Sequence, residues 1–262
     1  MNKQLKQKAI DIARYYNKNS NTKMIWLAGS VSRGWADQFS DIEINVIWGK
    51  PPSVEERTQV VRDHHGELLS LHPYEEEEWS EAYEIGGVKY EISGFLADTI
   101  EGLFECCLQT GEATIDEQCI LASIQNGSPL VNEVMYKKWK SQIEPYPFIL
   151  QKTMIERFGD PGTRWKDRHV MLARQDYFIL QDTIQTSLKR LFCVLFALNG
   201  RYIPHPVFKW GLREMEESIH IKPEGMKEKL TVLLSHKQSY ETKIYTLEEL
   251  WKEINQLMES LS

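Results

Sequence analysis

Long apolar runs are missing from this chain. None of 18 or more residues occurs in its 262, which excludes a simple membrane-spanning helix. The opening MNKQLKQKAIDIARYY reads as a polar amphipathic helix rather than a charged segment followed by an apolar one, so no secretion signal is expected and a cytoplasmic location is. Cysteine is scarce as well. The four present (Cys106, Cys107, Cys119, Cys193) include an adjacent pair and no CxxC spacing, which argues against a disulfide framework or a thiolate zinc site and leaves free, buried thiols. The seven histidines show no HExxH or comparable ligand spacing. No basic cluster exceeds Lys137-Lys138-x-Lys140 and the formal net charge is −7, so a long nucleic acid is not an expected partner. An acidic surface suits a cationic small molecule instead. Walker, dinucleotide-fingerprint and GxSxG patterns are all absent, which removes P-loop hydrolases, dehydrogenases and serine hydrolases of those kinds.

What is present is a globular composition, with 42% hydrophobic residues, and a change of pattern part-way along. Residues 5–16 carry apolar positions at helical spacing, 24–28 form a short apolar run ending at Gly29-Ser30, and 41–48 alternate as a strand stopped by Gly49-Lys50-Pro51-Pro52. Residues 67–71 and 88–95 read as further strands, the acidic run 75–78 as a solvated loop or helix start, and 96–109 as a helix. Residues 118–124 with the turn at 126–129 close this half as a helix or strand pair. From about residue 135 strand signals fade and helical ones strengthen, with 175–198 the most persistent and 247–261 a terminal amphipathic helix. The expectation is an α/β (α+β) domain over residues 1–134, a small mixed sheet flanked by helices, followed by an all-helical bundle over 135–262.

The most informative stretch is GSVSRGWADQFSDIEINV, residues 29–46. Successive side chains of a strand point to opposite faces, so Asp41, Glu43 and Asn45 share one face and Ile42, Ile44 and Val46 the other. The second set can bury against helices. The first presents two carboxylates about 6–7 Å apart, one strand repeat, a separation that a hard divalent cation such as Mg²⁺ can bridge while also taking phosphate oxygens. Upstream, Gly29 permits close backbone approach, Ser30 offers an amide and a hydroxyl, and Arg33 adds positive charge. A phosphate-cradling turn beside paired acids suits phosphoryl or nucleotidyl transfer, chemistry that depends on positioning and charge neutralisation. In KYEIS, residues 89–93, Glu91 points away from the apolar set of Val88, Tyr90 and Ile92 and supplies a third acid.

Gly29-Ser30, then Asp41-x-Glu43, then Glu91 in a strand resembles the nucleotidyltransferase superfamily related to DNA polymerase beta. The segment AGSVSRGWADQFSDIEINV is especially similar to kanamycin and other aminoglycoside nucleotidyltransferases, and GGVKYEISGF is similar to the strand that carries their third acid. The resemblance covers roughly residues 22–95. It implies that Asp41, Glu43 and Glu91 hold Mg²⁺, that Gly29 and Ser30 contact nucleotide phosphates, and that a nucleoside monophosphate, AMP from ATP by default, moves onto a hydroxyl of a small, cationic acceptor of the aminoglycoside type. In such enzymes a homodimer can build the site. A protein or tRNA acceptor, and a non-catalytic nucleotide-binding scaffold, are the alternatives. The acidic balance speaks against RNA, and the presence of all three acids against a scaffold.

In the kanamycin enzymes the acceptor hydroxyl is deprotonated by a carboxylate of the helical part. Here Asp176 and Asp182 lie in a segment that is apolar nearly all round. Asp182 and Lys189, seven residues apart, share a helical face and read either as base and phosphate-binding lysine or as structural or exposed charges. The following stretch NGRYIPHPVFKW is similar to an ALN-x-x-Y…KW pattern of uncharacterised bacterial nucleotidyltransferases, which implies that Tyr202 and Lys209 line a nucleotide cleft. Packing of a helix–helix connection reads the same residues equally well.

Overall fold

The computed structural model describes residues 1–260 and divides the chain into two compact units, Met1–Cys106 with Ile120–Pro145, and Cys107–Cys119 with Tyr146 onward. The terminal helix expected over 247–261 is seen as Tyr240–Glu259; Leu261 lies outside the described residues. Among the described residues no helix is long and apolar enough to cross a membrane.

The first unit is a six-stranded mixed sheet flanked by helices, as the sequence pattern leads one to expect. The elements over residues 2–143 run α1 (Asn2–Tyr16), β1 (Thr22–Leu27), α2 (Gly29–Arg33), β2 (Ile42–Trp48), α3 (Val54–Asp63), β3 (Glu67–Glu75), β4 (Glu78–Ile85), β5 (Val88–Leu96), α4 (Ala97–Gln109), α5 (Ile115–Asn126), β6 (Ser128–Val131) and α6 (Glu133–Ile143), with the end of α4 and the start of α5 belonging to the second unit. The strand order is β3-β4-β5-β2-β1-β6. Neighbours pair antiparallel except β2 and β5, which run parallel.

One face of the sheet builds the larger core. Leu5, Ala9, Ile12 and Tyr16 recur at helical spacing on α1 and pack with Ile42, Ile44, Val46 and Trp48 of β2 and with Tyr90 and Ile92 of β5. The α3 helix closes that core with Val60 and Val61. Its start is fixed by a capping box in which Ser53 Oγ accepts from the Glu56 amide at 3.2 Å and the Glu56 carboxylate accepts from the Ser53 amide at 2.8 Å. Over the opposite face, Trp26 Nε1 donates to Ser123 Oγ of α5 at 3.2 Å, and Trp139 of α6 donates to Glu101 of α4 at 3.1 Å.

Three elements depart from the sequence reading. Gly29-Ser30 opens a short helix rather than a plain turn. The acidic residues Glu76 and Glu77 form the tip of the β3–β4 hairpin, both at positive φ. The strand β4 went unread because its inward positions are Trp79, Glu81 and Tyr83, and Glu81, only 4% exposed, breaks the apolar alternation.

The second unit is helical: α7 (Phe148–Phe158), a 3₁₀ turn (Thr163–Asp167), α8 (Arg168–Ala173), α9 (Tyr177–Leu198), α10 (Gly211–Glu217), α11 (Met226–Leu234) and α12 (Tyr240–Glu259). Around α9 the packing is tied by Trp251 Nε1 of α12 donating to Ser187 Oγ at 2.8 Å and by Gln151 Nε2 of α7 donating to the Ala197 carbonyl at 2.8 Å. Of the four thiols, Cys107 and Cys193 are buried, Cys119 is partly covered and Cys106 is exposed.

Candidate functional site: an acid centre beside a glycine turn

The chain leaves β1 at Ala28, whose amide donates to the Glu43 carbonyl at 2.9 Å. That bond sets the next residue, Gly29, against the Glu43 side chain. Gly29 has φ +63°, and a methyl group placed on it would land on the Glu43 carboxylate. Two constraints therefore demand glycine there, the backbone conformation and the close approach of an anion. Ser32 Oγ locks the turn by donating to the Gly29 carbonyl at 3.0 Å and the Asn126 carbonyl at 3.1 Å. Gly29→Ala is expected to cost about 1–2 kcal/mol through the strained φ and to push the flexible Glu43 carboxylate aside. Urea unfolding checks the first effect, and ligand-induced stabilisation of the variant the second.

Ser30 is buried, and its carbonyl accepts from the Trp35 amide at 2.8 Å. The Arg33 guanidinium lies over the Trp35 ring at 3.5 Å from the centroid, which holds its flat face on the indole. The crossing from Trp35 to Ser40 is irregular and is held by Asp37: its Oδ1 accepts from the Phe39 amide at 2.9 Å and from Ser40 Oγ at 3.1 Å. This turn delivers Asp41 to the start of β2.

The parallel register of β2 and β5 places Glu43 directly beside Glu91, Ile42 beside Tyr90 and Ile44 beside Ile92. The isoleucines and Tyr90 enter the core. Glu43 and Glu91 share the other face, as the period of two requires. Asp41, Glu43, Glu91, Gly29, Ser30 and Arg33 all belong to the first unit.

The cation between these acids is one the sequence reading passed over. Lys89 Nζ is bonded to the Glu91 carboxylate and stands 3.8 Å from Asp41 Oδ2. The bond to Glu91 holds its ammonium above the ordinary lysine range, with the charges of Glu91, Asp41 and Glu43 adding to the effect. The signal was legible: Lys89 and Glu91 are two residues apart in a strand, so the period that put Glu91 on this face puts Lys89 there as well.

Three carboxylates on one face offer the oxygen chemistry that a hard divalent ion takes. Their placement is looser than a metal site needs. Among the described residues no three His, Cys, Asp or Glu side chains gather closely enough to hold a metal ion.

Comparisons with known proteins add little here. No curated protein matches the chain. A family model described as a domain of unknown function, DUF4037, matches residues 113–211, less than half of the chain and without the acid centre. A nucleotidyltransferase-like protein from Exiguobacterium sibiricum is similar in structure, with a TM-score of 0.44 and 14% sequence identity over 97% of this chain and 74% of that one.

The remaining candidates all lie in the second unit. The first half of α9 buries one stripe, Leu180, Thr183, Ile184, Ser187 and Leu188, and only its last turns are buried all round. Asp182 and Lys189 fall on its open side. Asp182 Oδ2 pairs with Arg164 Nη1 at 3.2 Å rather than with Lys189. Asp176 precedes the helix, and its carbonyl accepts from the Leu180 amide at 3.0 Å. Tyr202 is 1% exposed, its ring 4.8 Å from that of Tyr146, a position that fits the packing reading rather than a cleft lining. Lys209 is exposed.

Proposed function

We propose that this chain is a nucleotidyltransferase, moving a nucleoside monophosphate from a nucleoside triphosphate, AMP from ATP in the first instance, onto a hydroxyl of a small cationic acceptor of the aminoglycoside type. The observation that carries the reading is the Gly29 backbone lying against the Glu43 carboxylate, with Glu91 beside Glu43 in the strand register. Paired acids next to a turn stripped of side chain are what a triphosphate and its metal require.

In this reading Gly29 leaves room for the triphosphate, Ser30 presents its amide and hydroxyl to it, and Arg33, steadied on Trp35, lends a positive charge. Asp41, Glu43 and Glu91 are the ligands assigned to Mg²⁺, which when bound neutralises phosphate charge. Asp182 or Asp176 as base, and Lys189 and Lys209 as phosphate-binding lysines, lie in the second unit and keep these roles from the resemblance alone. The net charge of −7 favours a cationic acceptor over RNA.

The test is a thermal melt with Mg²⁺ and non-hydrolysable analogues of the four nucleoside triphosphates. A ligand that binds only the folded state stabilises it by about 2.7 kcal/mol at a hundred times its dissociation constant, so a rise of several degrees that requires Mg²⁺ is expected with at least one analogue. Mass spectrometry for AMP addition to amino-sugar acceptors follows, with the oligomeric state measured on the same sample. If none of the four analogues raises the melting temperature, the reading is wrong.

A further inference from the structure

The sheet face that carries Glu43 and Glu91 continues beyond them. Two residues further along, the register sets Asn45 of β2 beside Ser93 of β5, Ser93 beside Ser80 of β4, and Ser80 beside His72 of β3. Four adjacent strands thus lay a row of polar side chains across the face, about 6–7 Å, one strand repeat, from the Glu43–Glu91 row. Asn45 is buried, and the two serines are partly buried. Glu78, two residues before Ser80 and so on the same face, leans onto this row, and its carboxylate accepts from the Ser93 hydroxyl. Burial raises its carboxyl above the ordinary range against the pull of that hydroxyl, and the charge of Glu76 adds to the rise. Glu81, the buried carboxylate of the opposite face, has Arg57 as its partner. Glu78 has an alcohol alone: among the described residues no lysine, arginine or histidine pairs with it. A carboxylate taken part-way out of water without a counter-charge is stabilised by any cation that reaches it.

We infer that Glu78 and the Asn45–Ser93–Ser80 row form the acceptor subsite, Glu78 taking an ammonium of the acceptor and the row its hydroxyls. The ligand class is a polyhydroxylated amine. This assignment rests on the nucleotidyltransferase reading for there being an acceptor at all, and it adds that the cationic group is held in the first unit, one strand repeat from Glu43 and Glu91. An ammonium bonded to a carboxylate is the stronger anchor. Hydroxyls, which both donate and accept, match the amide of Asn45 and the hydroxyls of Ser80 and Ser93. One molecule can thus hold the row through its amine while it presents a hydroxyl towards the acids.

The test is calorimetric binding of kanamycin, a polyhydroxylated amine, without nucleotide, to the wild type, Glu78→Gln, Ser93→Ala and Glu76→Gln, with maltose as the uncharged comparison. Glu78 opens β4 and is only partly buried, so the variants are expected to fold, which circular dichroism verifies; should Glu78→Gln not fold, Ser93→Ala decides. The wild type should bind kanamycin and not maltose. Glu78→Gln, which keeps the shape and loses the charge, should bind kanamycin about tenfold more weakly, and Ser93→Ala about threefold more weakly. Glu76→Gln, at the exposed hairpin tip, should stay within about twofold of the wild type. Undiminished binding by Glu78→Gln overturns the subsite and leaves the nucleotidyltransferase reading to the nucleotide melt. Equal losses in Glu76→Gln and Glu78→Gln overturn it as well, because they show attraction by acidic surface at large. Failure of the wild type to bind kanamycin at millimolar concentration overturns it whatever the nucleotides do.

Discussion

Replacing Arg57 by Met is expected to destabilise the first unit by about 3–5 kcal/mol at pH 8, the usual penalty for removing one partner of a buried ion pair. Arg57 and Glu81 are each 3% exposed at the side chain, with Nη2 2.7 Å from Oε2. Arg57 Nε donates to the same carboxylate at 2.8 Å, and Nη2 also donates to the carbonyls of His72 at 2.7 Å and Ser80 at 2.9 Å. One guanidinium from α3 thereby satisfies groups on both β3 and β4. Without it Glu81 must either stay charged in the core or bind a proton.

The pH dependence follows from that choice. Burial already pushes the Glu81 carboxyl up to about 7, against the opposing pull of Arg57. Its folded value is raised above its unfolded one, so its contribution to stability is complete below the unfolded value of about 4.5 and fades as pH rises towards 7. Removing Arg57 raises the folded value further and extends the fading to higher pH. The gap between wild type and Arg57→Met should therefore widen by at least about 1 kcal/mol between pH 5 and pH 8, one pKa unit being about 1.4 kcal/mol. Urea unfolding at the two values reads it, and a gap that does not change with pH would show that Glu81 is not what the arginine compensates. Adding Glu81→Leu to Arg57→Met should recover much of the loss, since apolar replacement of a buried pair is often neutral.

The second large effect is on catalysis. Asp41→Asn changes almost no volume but removes one negative charge from the acid centre. If Asp41 is a metal ligand for nucleotidyl transfer, kcat/KM should fall by about a thousandfold, the scale of a lost transition-state charge interaction. Stability should barely move, because the Asp41–Lys89 pair is long at 3.8 Å and partly exposed. Glu84→Gln is the matched control: Glu84 is exposed, lies beside Lys89 in the β4–β5 register and belongs to no proposed ligand set, so its rate should stay within about twofold. Full turnover by Asp41→Asn would end the assignment of the paired acids.

The acids were legible because period-two alternation is a local rule: Ile42, Ile44, Tyr90 and Ile92 are in the core, and Glu43 and Glu91 face away from it. Their neighbourhood in space was not local. It depends on β2 and β5 pairing in parallel across 47 intervening positions of register, with a hairpin added at β5's other edge. The strand β4 was hidden because a charged residue occupies one of its core positions, and only Arg57, in another element, makes that tolerable. Helix α3 was missed for a different reason. Its apolar face is thin, yet Ser53-x-x-Glu56 at its start was a readable capping signal. Lys89 follows from the same local rule, since a cluster of like charges implies a counter-charge on the same face. In the second unit, helical spacing marked α9 correctly but could not say which side of it lies open.

The segment Cys107–Cys119, which joins α4 to α5, packs with the second unit: Gly111 lies against the backbone of Ile149, and Gln118 Nε2 is 3.0 Å from Met154 Sδ. On the ribosome this segment is made well before those partners. At about 5–20 residues per second it waits some seconds for α7, with the side chains of Cys107, Ala113 and Gln118, buried in the finished fold, still exposed. The sheet of the first unit can close during that interval, but the connection it carries between α4 and α5 stays sticky until synthesis has moved on. Residues 107–119 therefore stay exposed for some seconds after they are made, although they begin only 16 residues beyond Glu91.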